Sequence, residues 1–195
     1  MNVGVIIGST RPNRIADQIA QLLMQTIDKA KHPTLNFEVI DLANWNLPLC
    51  NEPVIPALAE QRYTYELTRQ WSAKINSKQA FIFITPEYNW GYPASLKNAL
   101  DYLCKEWHDK PAMIVSYAYT GGEKAAAQLS QVLQGLRMGV VDTMPAIYLS
   151  HDMFIESTNK IKETYADTFV KEYAKVIDRA VIELARGLQQ QKSLH

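Results

Sequence analysis

Two periods alternate along the chain. Val3-Gly4-Val5-Ile6-Ile7 is an apolar, mostly β-branched run that stops at Gly8, the pattern of a strand covered on both faces. Ile15, Ile19, Leu22, Leu23 and Ile27 then recur at helical spacing and predict an amphipathic helix. Phe37-Glu38-Val39-Ile40 predicts a second strand. Pro48, Pro53 and Pro56 predict an irregular surface stretch, because proline interrupts both kinds of ladder. A charged helix is expected from about Pro56 to Lys78. Phe81-Ile82-Phe83-Ile84-Thr85 predicts a third strand, and Pro93 suits the first turn of a helix over Ala94 to Cys104. A fourth strand is expected over Ala112 to Tyr117, followed by Gly121-Gly122 and a helix carrying Ala126, Leu129, Leu133 and Leu136. A fifth lies between Val140 and Leu149, with Pro145 marking a start, an edge or a bulge. Phe169, Tyr173, Val176, Ile177, Ala180, Val181 and Leu184 make one apolar stripe on a long last helix.

Short apolar strands separated by helices cannot be joined as hairpins; right-handed crossovers make them a parallel sheet with helices on both faces. The expected fold is therefore an open, doubly wound α/β domain of five strands in the order 2-1-3-4-5, filling residues 1–195. Such sheets bind ligands beyond the carboxyl ends of the strands, where the order reverses. Composition narrows the rest. Twenty Lys+Arg against twenty Asp+Glu give no net charge, which removes the footprint of a dedicated nucleic-acid binder. No apolar run approaches membrane-spanning length, and no basic segment followed by an apolar one opens the chain, so neither a span nor a leader is expected. Cys50 and Cys104 have no metal-ligand or redox-motif spacing; they read as free thiols in a reducing cytosol.

Three strand ends carry unusual chemistry. Gly8-Ser9-Thr10-Arg11-Pro12-Asn13-Arg14-Ile15 joins a buried strand to a helix start. Its hydroxyls, its two guanidiniums and the free N–H groups of the helix suit an anionic phosphate. The same hydroxyls would serve equally as ordinary helix caps. The spacing is neither that of a P-loop nor that of a dinucleotide fingerprint. Thr85-Pro86-Glu87-Tyr88-Asn89-Trp90-Gly91-Tyr92-Pro93 is a loop stiffened by two prolines, and it sets backbone polar groups beside three aromatic faces. That suits the edge of a planar heterocycle, although part of the cluster also suits a dimer contact. Glu87 either touches a ligand or braces the loop through Lys97. Ser116-Tyr117-Ala118-Tyr119-Thr120-Gly121-Gly122 gives a glycine-rich wall. His108 precedes the fourth strand, at the end opposite the crevice; Trp107 reads as a structural or interface residue, with a share in the substrate face beside Trp90 and Tyr92 as the alternative. His32, His151 and His195 join no motif. Val54, Ile55 and Leu58 cover either a partner subunit or their own domain.

A phosphate cradle, a rigid loop beside a flat ring and a glycine-rich wall together suit a mononucleotide. The segments G-S-T-R-P-N-R, T-P-E-Y-N-W-G-Y-P-A-S-L-K-N-A-L-D, E-W-H-D-K-P-A and S-Y-x-x-x-G-G resemble the NAD(P)H-dependent FMN reductases, the small fungal quinone reductases in particular. The likeness runs in order from Asn2 to Leu149. It implies a flavodoxin-like fold, bound FMN, NADPH or NADH as hydride donor, a quinone or free flavin as acceptor, and a cytoplasmic homodimer. It implies a ping-pong cycle in which hydride passes through the flavin N5 and no side chain acts as nucleophile or base. Carried over by position, Ser9, Arg11, Arg14 and the Ile15 N–H would hold the phosphate. Pro86, Glu87, Tyr88 and Asn89 would line the ring and ribityl side, and Ser116, Tyr117, Gly121 and Gly122 the other edge. Asn13 and Ala118 stand where glycine is common in the family. A flavin-binding electron carrier without nicotinamide turnover is the alternative.

Overall fold

The computed structural model describes residues 1–155, 158 and 160–192; His195 lies outside them. Strands β1 (Asn2–Ile7), β2 (Asn36–Asp41), β3 (Ala80–Pro86) and β4 (Pro111–Ala118) run parallel in the order β2-β1-β3-β4. Helix α1 (Ala16–Thr26) joins the first two strands. The short α2 (Leu42–Trp45) and then α3 (Glu66–Asn76) lead to β3, and α4 (Ala94–Asp101) leads to β4. After α5 (Glu123–Gly135), the fifth position of the sheet is filled by two pieces rather than one. Gly139–Val140 (β5) and Ala146–Tyr148 (β6) both pair with β4, so the sheet has six strands. A small antiparallel pair, β7 (Phe154–Ile155) with β8 (Lys160–Ile161), precedes the last helix α6 (Tyr165–Lys192).

The unbroken apolar runs become the strands buried on both faces. Val3, Val5, Ile7, Ile82, Ile84, Met113 and Val115 face α1 and α6, where Ile19, Leu23, Phe169, Ile177 and Leu184 are fully buried. Ile6, Phe81, Phe83, Ala112 and Ile114 face the other way, toward Trp71 of α3, Leu96 and Leu100 of α4, and Leu129 and Leu133 of α5. Trp107 sits in this second core. Its ring meets Trp71 and Phe81 edge-on at 6.4 and 5.1 Å, and its Nε1 donates to the Leu100 carbonyl at 3.3 Å. It is structural, as its position suggested.

Three boundaries depart from the pattern, and one open alternative is resolved. The helix expected from Pro56 begins only at Glu66, because Glu60 and Gln61 take left-handed backbone angles (φ 48° and 64°) that end any helical run. Helix α4 stops at Asp101, short of Cys104. Pro145 marks the break between β5 and β6. Its carbonyl still accepts from the Ser116 N–H at 3.0 Å, while the Thr143 N–H and hydroxyl in the break are taken by Glu183 of α6 at 2.8 and 2.7 Å. Finally, Val54, Ile55 and Leu58 are 46, 66 and 72% exposed, so they do not cover their own domain.

The β2 edge is tied to α3 by charge. Glu38 accepts from Lys74 at 2.7 Å and from the buried Lys78, and these hydrogen bonds hold its carboxyl at about 2, below its ordinary 4.5. A carboxyl depressed on folding contributes stability that is present above the unfolded value and lost as pH falls through the folded one. Thermal midpoints measured between pH 5 and pH 2 should therefore decline less in Glu38→Gln than in the unaltered protein. Parallel declines would show that this ion-pair cluster adds nothing.

Candidate cofactor cleft

The register of the central strands sets the site. Ile7 pairs with Ile84, Ile84 with Val115, and Pro86 with Tyr117, so β1, β3 and β4 end nearly level and their turns leave side by side. Between the turns lies a cleft of about 340 Å³. Arg11, Pro12, Asn13, Arg14 and Ile15 line it from the first turn, Pro86, Glu87 and Tyr88 from the second, and Tyr117, Ala118 and Tyr119 from the third. Leu149 and Phe154 close a further side.

In the first turn the Gly8 requirement is one of space. A Cβ there would stand 3.0 Å from the Leu96 side chain and 3.1 Å from the Ile84 carbonyl oxygen, while the Gly8 N–H donates to that oxygen at 2.9 Å. Asn13 does adopt the left-handed region (φ 56°), which asparagine enters at lower cost than most residues. Ser9 does not line the cleft. It is fully buried, and its hydroxyl sits 2.8 Å from the Tyr88 hydroxyl, tying the first turn to the second. The Arg11 guanidinium lies 5.4 Å from the Tyr88 ring centroid, and Arg14 is ion-paired to Asp41.

The second turn is a two-residue reversal. Tyr88 and Gly91 exchange N–H to carbonyl bonds at 2.8 and 3.0 Å, and Asn89 and Trp90 between them both have positive φ (47° and 69°). That geometry favours asparagine first and glycine second; a bulky tryptophan in the second place stores strain. Contacts to α5 offset it. Gln128 Nε2 donates to the Trp90 carbonyl at 3.1 Å, and Lys124 Nζ stands 3.2 Å from the Trp90 ring centroid. Glu87 neither pairs with Lys97 nor stands free. Its Oε2 accepts from the Lys124 and Ala125 N–H groups at 3.2 and 3.4 Å and caps α5 from outside. Lys97 pairs instead with Asp101 at 2.6 Å, one turn along its own helix.

The third turn is braced from within. The buried Ser116 hydroxyl donates to the Gly121 carbonyl at 2.8 Å, and Gly122, at φ 79°, is the residue from which α5 starts. A Cβ on Gly122 would come within 3.1 Å of Ser116 Cβ, so a side chain would collide with the turn as well as strain it. Tyr117 faces the cleft while 4% exposed. Burial pushes its phenol far above the ordinary value, so it acts only as a neutral donor or acceptor.

Of the residues expected to bind, Arg11, Arg14, Ile15, Pro86, Glu87, Tyr88 and Tyr117 line the cleft. Ser9, Asn89, Ser116, Gly121 and Gly122 instead hold the turns that do. Pro12, Asn13, Ala118, Tyr119, Leu149 and Phe154 also line it without having been assigned a binding role. Leu149 follows the carboxyl end of β6, so the strand-end rule applied there would have found it; nothing local marks Phe154. A larger and more open groove of about 730 Å³ lies at the opposite end of the sheet, between Arg137, Glu183 and Arg186. Size does not decide between them. Only the smaller cleft sits beyond the carboxyl strand ends and gathers three turns. Cys104 and His108 belong to the far end, with Sγ and Nε2 3.6 Å apart. Both cysteines are free, and among the described residues no three His, Cys, Asp or Glu side chains cluster as a metal site.

The residues present fit a phosphorylated planar cofactor. Arg14 Nε is buried and has no acceptor among the described residues, as a guanidinium prepared for an incoming anion would. Tyr88 and Tyr117 flank the same space. A parallel sheet in this order, with a cleft between the turns after β1, β3 and β4, defines a flavodoxin-like fold.

Comparison with known proteins narrows the class to a family. The family described as NADPH-dependent FMN reductase matches residues 1–152, and the chain belongs to it. It is 43% identical over 148 residues to the NAD(P)H-dependent FMN reductase LOT6 of Saccharomyces cerevisiae, spanning 72% of this chain and 78% of the relative. A quinone reductase of Pseudomonas putida is 30% identical over 155 residues, 76% of this chain and 77% of that one. Among solved structures, the flavoenzyme NAD(P)H:(acceptor) oxidoreductase FerB of Paracoccus denitrificans superposes with a TM-score of 0.64 at 21% identity. That match covers 92% of this chain and 98% of FerB, and it bears on the fold alone.

The reassignment of Glu87 is directly testable. Glu87→Ala should lose a helix cap and lower stability by about 0.5–2 kcal/mol in urea unfolding. Lys97→Ala should change it by less than about 0.5 kcal/mol, and the double variant should equal the sum. Measurable coupling between the two positions would restore the Glu87–Lys97 pair.

Proposed function

We infer that this protein is an FMN-dependent NAD(P)H oxidoreductase that reduces quinones or free flavins. The observation that carries this reading is the meeting of three turns, distant in sequence, around one cleft with guanidiniums from the first turn and tyrosine rings from the other two. FMN held there would supply the redox chemistry, hydride acceptance from a nicotinamide and two-electron reduction of an acceptor.

The chain's own residues bind, orient and shield. Arg11 and Arg14, with the Ile15 N–H at the start of α1, hold the phosphate. The Pro86–Asn89 backbone, fixed by Glu87 on α5 and by the Ser9–Tyr88 hydroxyl pair, sets the height of the ring. Tyr117 and the Ser116–Gly121 brace define the facing edge. No nucleophile or dedicated base is assigned, because hydride transfer to a positioned ring needs none. The same reading includes a ping-pong cycle in which donor and acceptor occupy the one cleft in turn. Leu49, Val54, Ile55 and Leu58, all exposed on the Pro-rich stretch, support a homodimer. Two free thiols accord with a reducing, cytoplasmic setting.

The purified protein should be yellow and should bleach when NADPH or NADH is added without oxygen. A flavin that stays oxidised for many seconds would instead make the protein an electron carrier, and failure to bind FMN would end the reading. Arg11→Ala should release FMN more readily by about ten- to a hundredfold, the loss of a charge-assisted contact of about 1.5–3 kcal/mol. Equilibrium dialysis would measure it, and an unchanged dissociation constant would remove Arg11 from the cradle.

A further inference from the structure

Besides Glu87, whose carboxylate caps α5, a second acidic residue bears on a cleft otherwise suited to an anion. Asp41 ends β2 and pairs in register with Ile7, the last residue of β1. Its Oδ1 accepts from the Ala43 N–H at 3.0 Å and caps α2. Its Oδ2 takes Arg14 Nη2 in an ion pair whose side chains are 19% and 17% exposed. A carboxylate placed here repels a phosphate unless its charge is already spent. It is spent on Arg14, and the two form a neutral unit of which Arg14 lines the cleft.

Orientation is what that unit adds. A free arginine has many rotamers that ligand binding would have to freeze, and an ion pair formed in advance removes that cost from the binding step. The second oxygen of Asp41 is fixed by the Ala43 N–H, so the carboxylate cannot turn to follow the guanidinium; the guanidinium conforms to it. Arg14 is thereby held with its Nε buried and still without an acceptor among the described residues. Arg11 is differently placed, stacked over the Tyr88 ring and free of any ion pair among the described residues. The two arginines then divide the work: one supplies net charge, the other fixed geometry.

We propose that Asp41 is a positioning residue for the phosphate end of FMN, acting through Arg14 and not by touching the cofactor. The inference rests on the FMN reading above, and the test separates the two. Flavin-free protein is titrated with FMN and with riboflavin, which has the same ring and no phosphate, and binding is read by quenching of flavin fluorescence. Asp41→Asn keeps an oxygen to cap Ala43 but loses the charge; it should raise the FMN dissociation constant about tenfold, as expected for a charge-assisted contact made neutral, and leave that of riboflavin unchanged. Arg14→Ala should weaken FMN at least as much, and the double variant should be no weaker than Arg14→Ala alone. Should Asp41→Asn fail to fold, as judged by its thermal melt, Asp41→Ser keeps the cap and is read in the same way. Unchanged or tighter FMN binding in the Asp41 variant would overturn the proposal, as would an equal loss for riboflavin or losses that add. If the unaltered protein fails to prefer FMN over riboflavin, the cofactor reading itself falls, and the role of Asp41 with it.

Discussion

The level ending of three buried parallel strands is the constraint on which the rest depends. β1, β3 and β4 have no solvent-facing side, so each is pinned by two cores at once and cannot slide without moving its apolar side chains out of place. A slip by one residue would reverse every side chain between the α1–α6 face and the α3–α4–α5 face. Because register is fixed this firmly, the turns that follow Ile7, Pro86 and Ala118 emerge at fixed heights and separations. Binding groups can then sit on loops without the imprecision that loops usually bring.

Those turns are further bound to one another and to their helices. The Ser9–Tyr88 hydroxyl pair links the first to the second, Glu87 links the second to α5, and Ser116 closes the third on itself. Each is a single contact of modest strength. Together they leave few ways for the cleft to change shape while the sheet stays intact. The strained backbone at Trp90 fits this arrangement. It sits where the second turn must reverse within two residues, and α5 holds it from below through Lys124 and Gln128. Arg14 and Asp41 apply the same principle to a charge, which is fixed before any ligand arrives.

Much of this was legible from periodicity. Runs such as Val3–Ile7 and Phe81–Thr85 leave no polar face to water, so they could only be central strands, and the fold class follows from their separation by helices. The three turns that meet at the cleft were legible because glycine, proline and arginine cluster where strands end. Individual roles were harder to read. Ser9 and Ser116 look like ligand donors in sequence, but their partners, Tyr88 and the Gly121 carbonyl, are set by the three-dimensional path of the chain. Glu87 had a plausible cation ten residues away in Lys97, and helical spacing gave that lysine to Asp101 instead. Asp41 carried no motif, because its contact with Arg14 joins the end of β2 to the turn that follows β1. The delayed start of α3 and the split between β5 and β6 were hidden for a similar reason. Left-handed residues such as Glu60 and Gln61 give no compositional signal, and Pro145 marks a break without saying how the sheet resumes.

Hydrogen–deuterium exchange, compared between flavin-free and FMN-loaded protein, tests the central claim most directly. Protection should rise together in 8–15, 86–91 and 117–122, with little change around the Arg137–Arg186 groove at the far end of the sheet. Protection confined to one of these turns, or centred on that groove, would contradict a single cofactor gripped by all three.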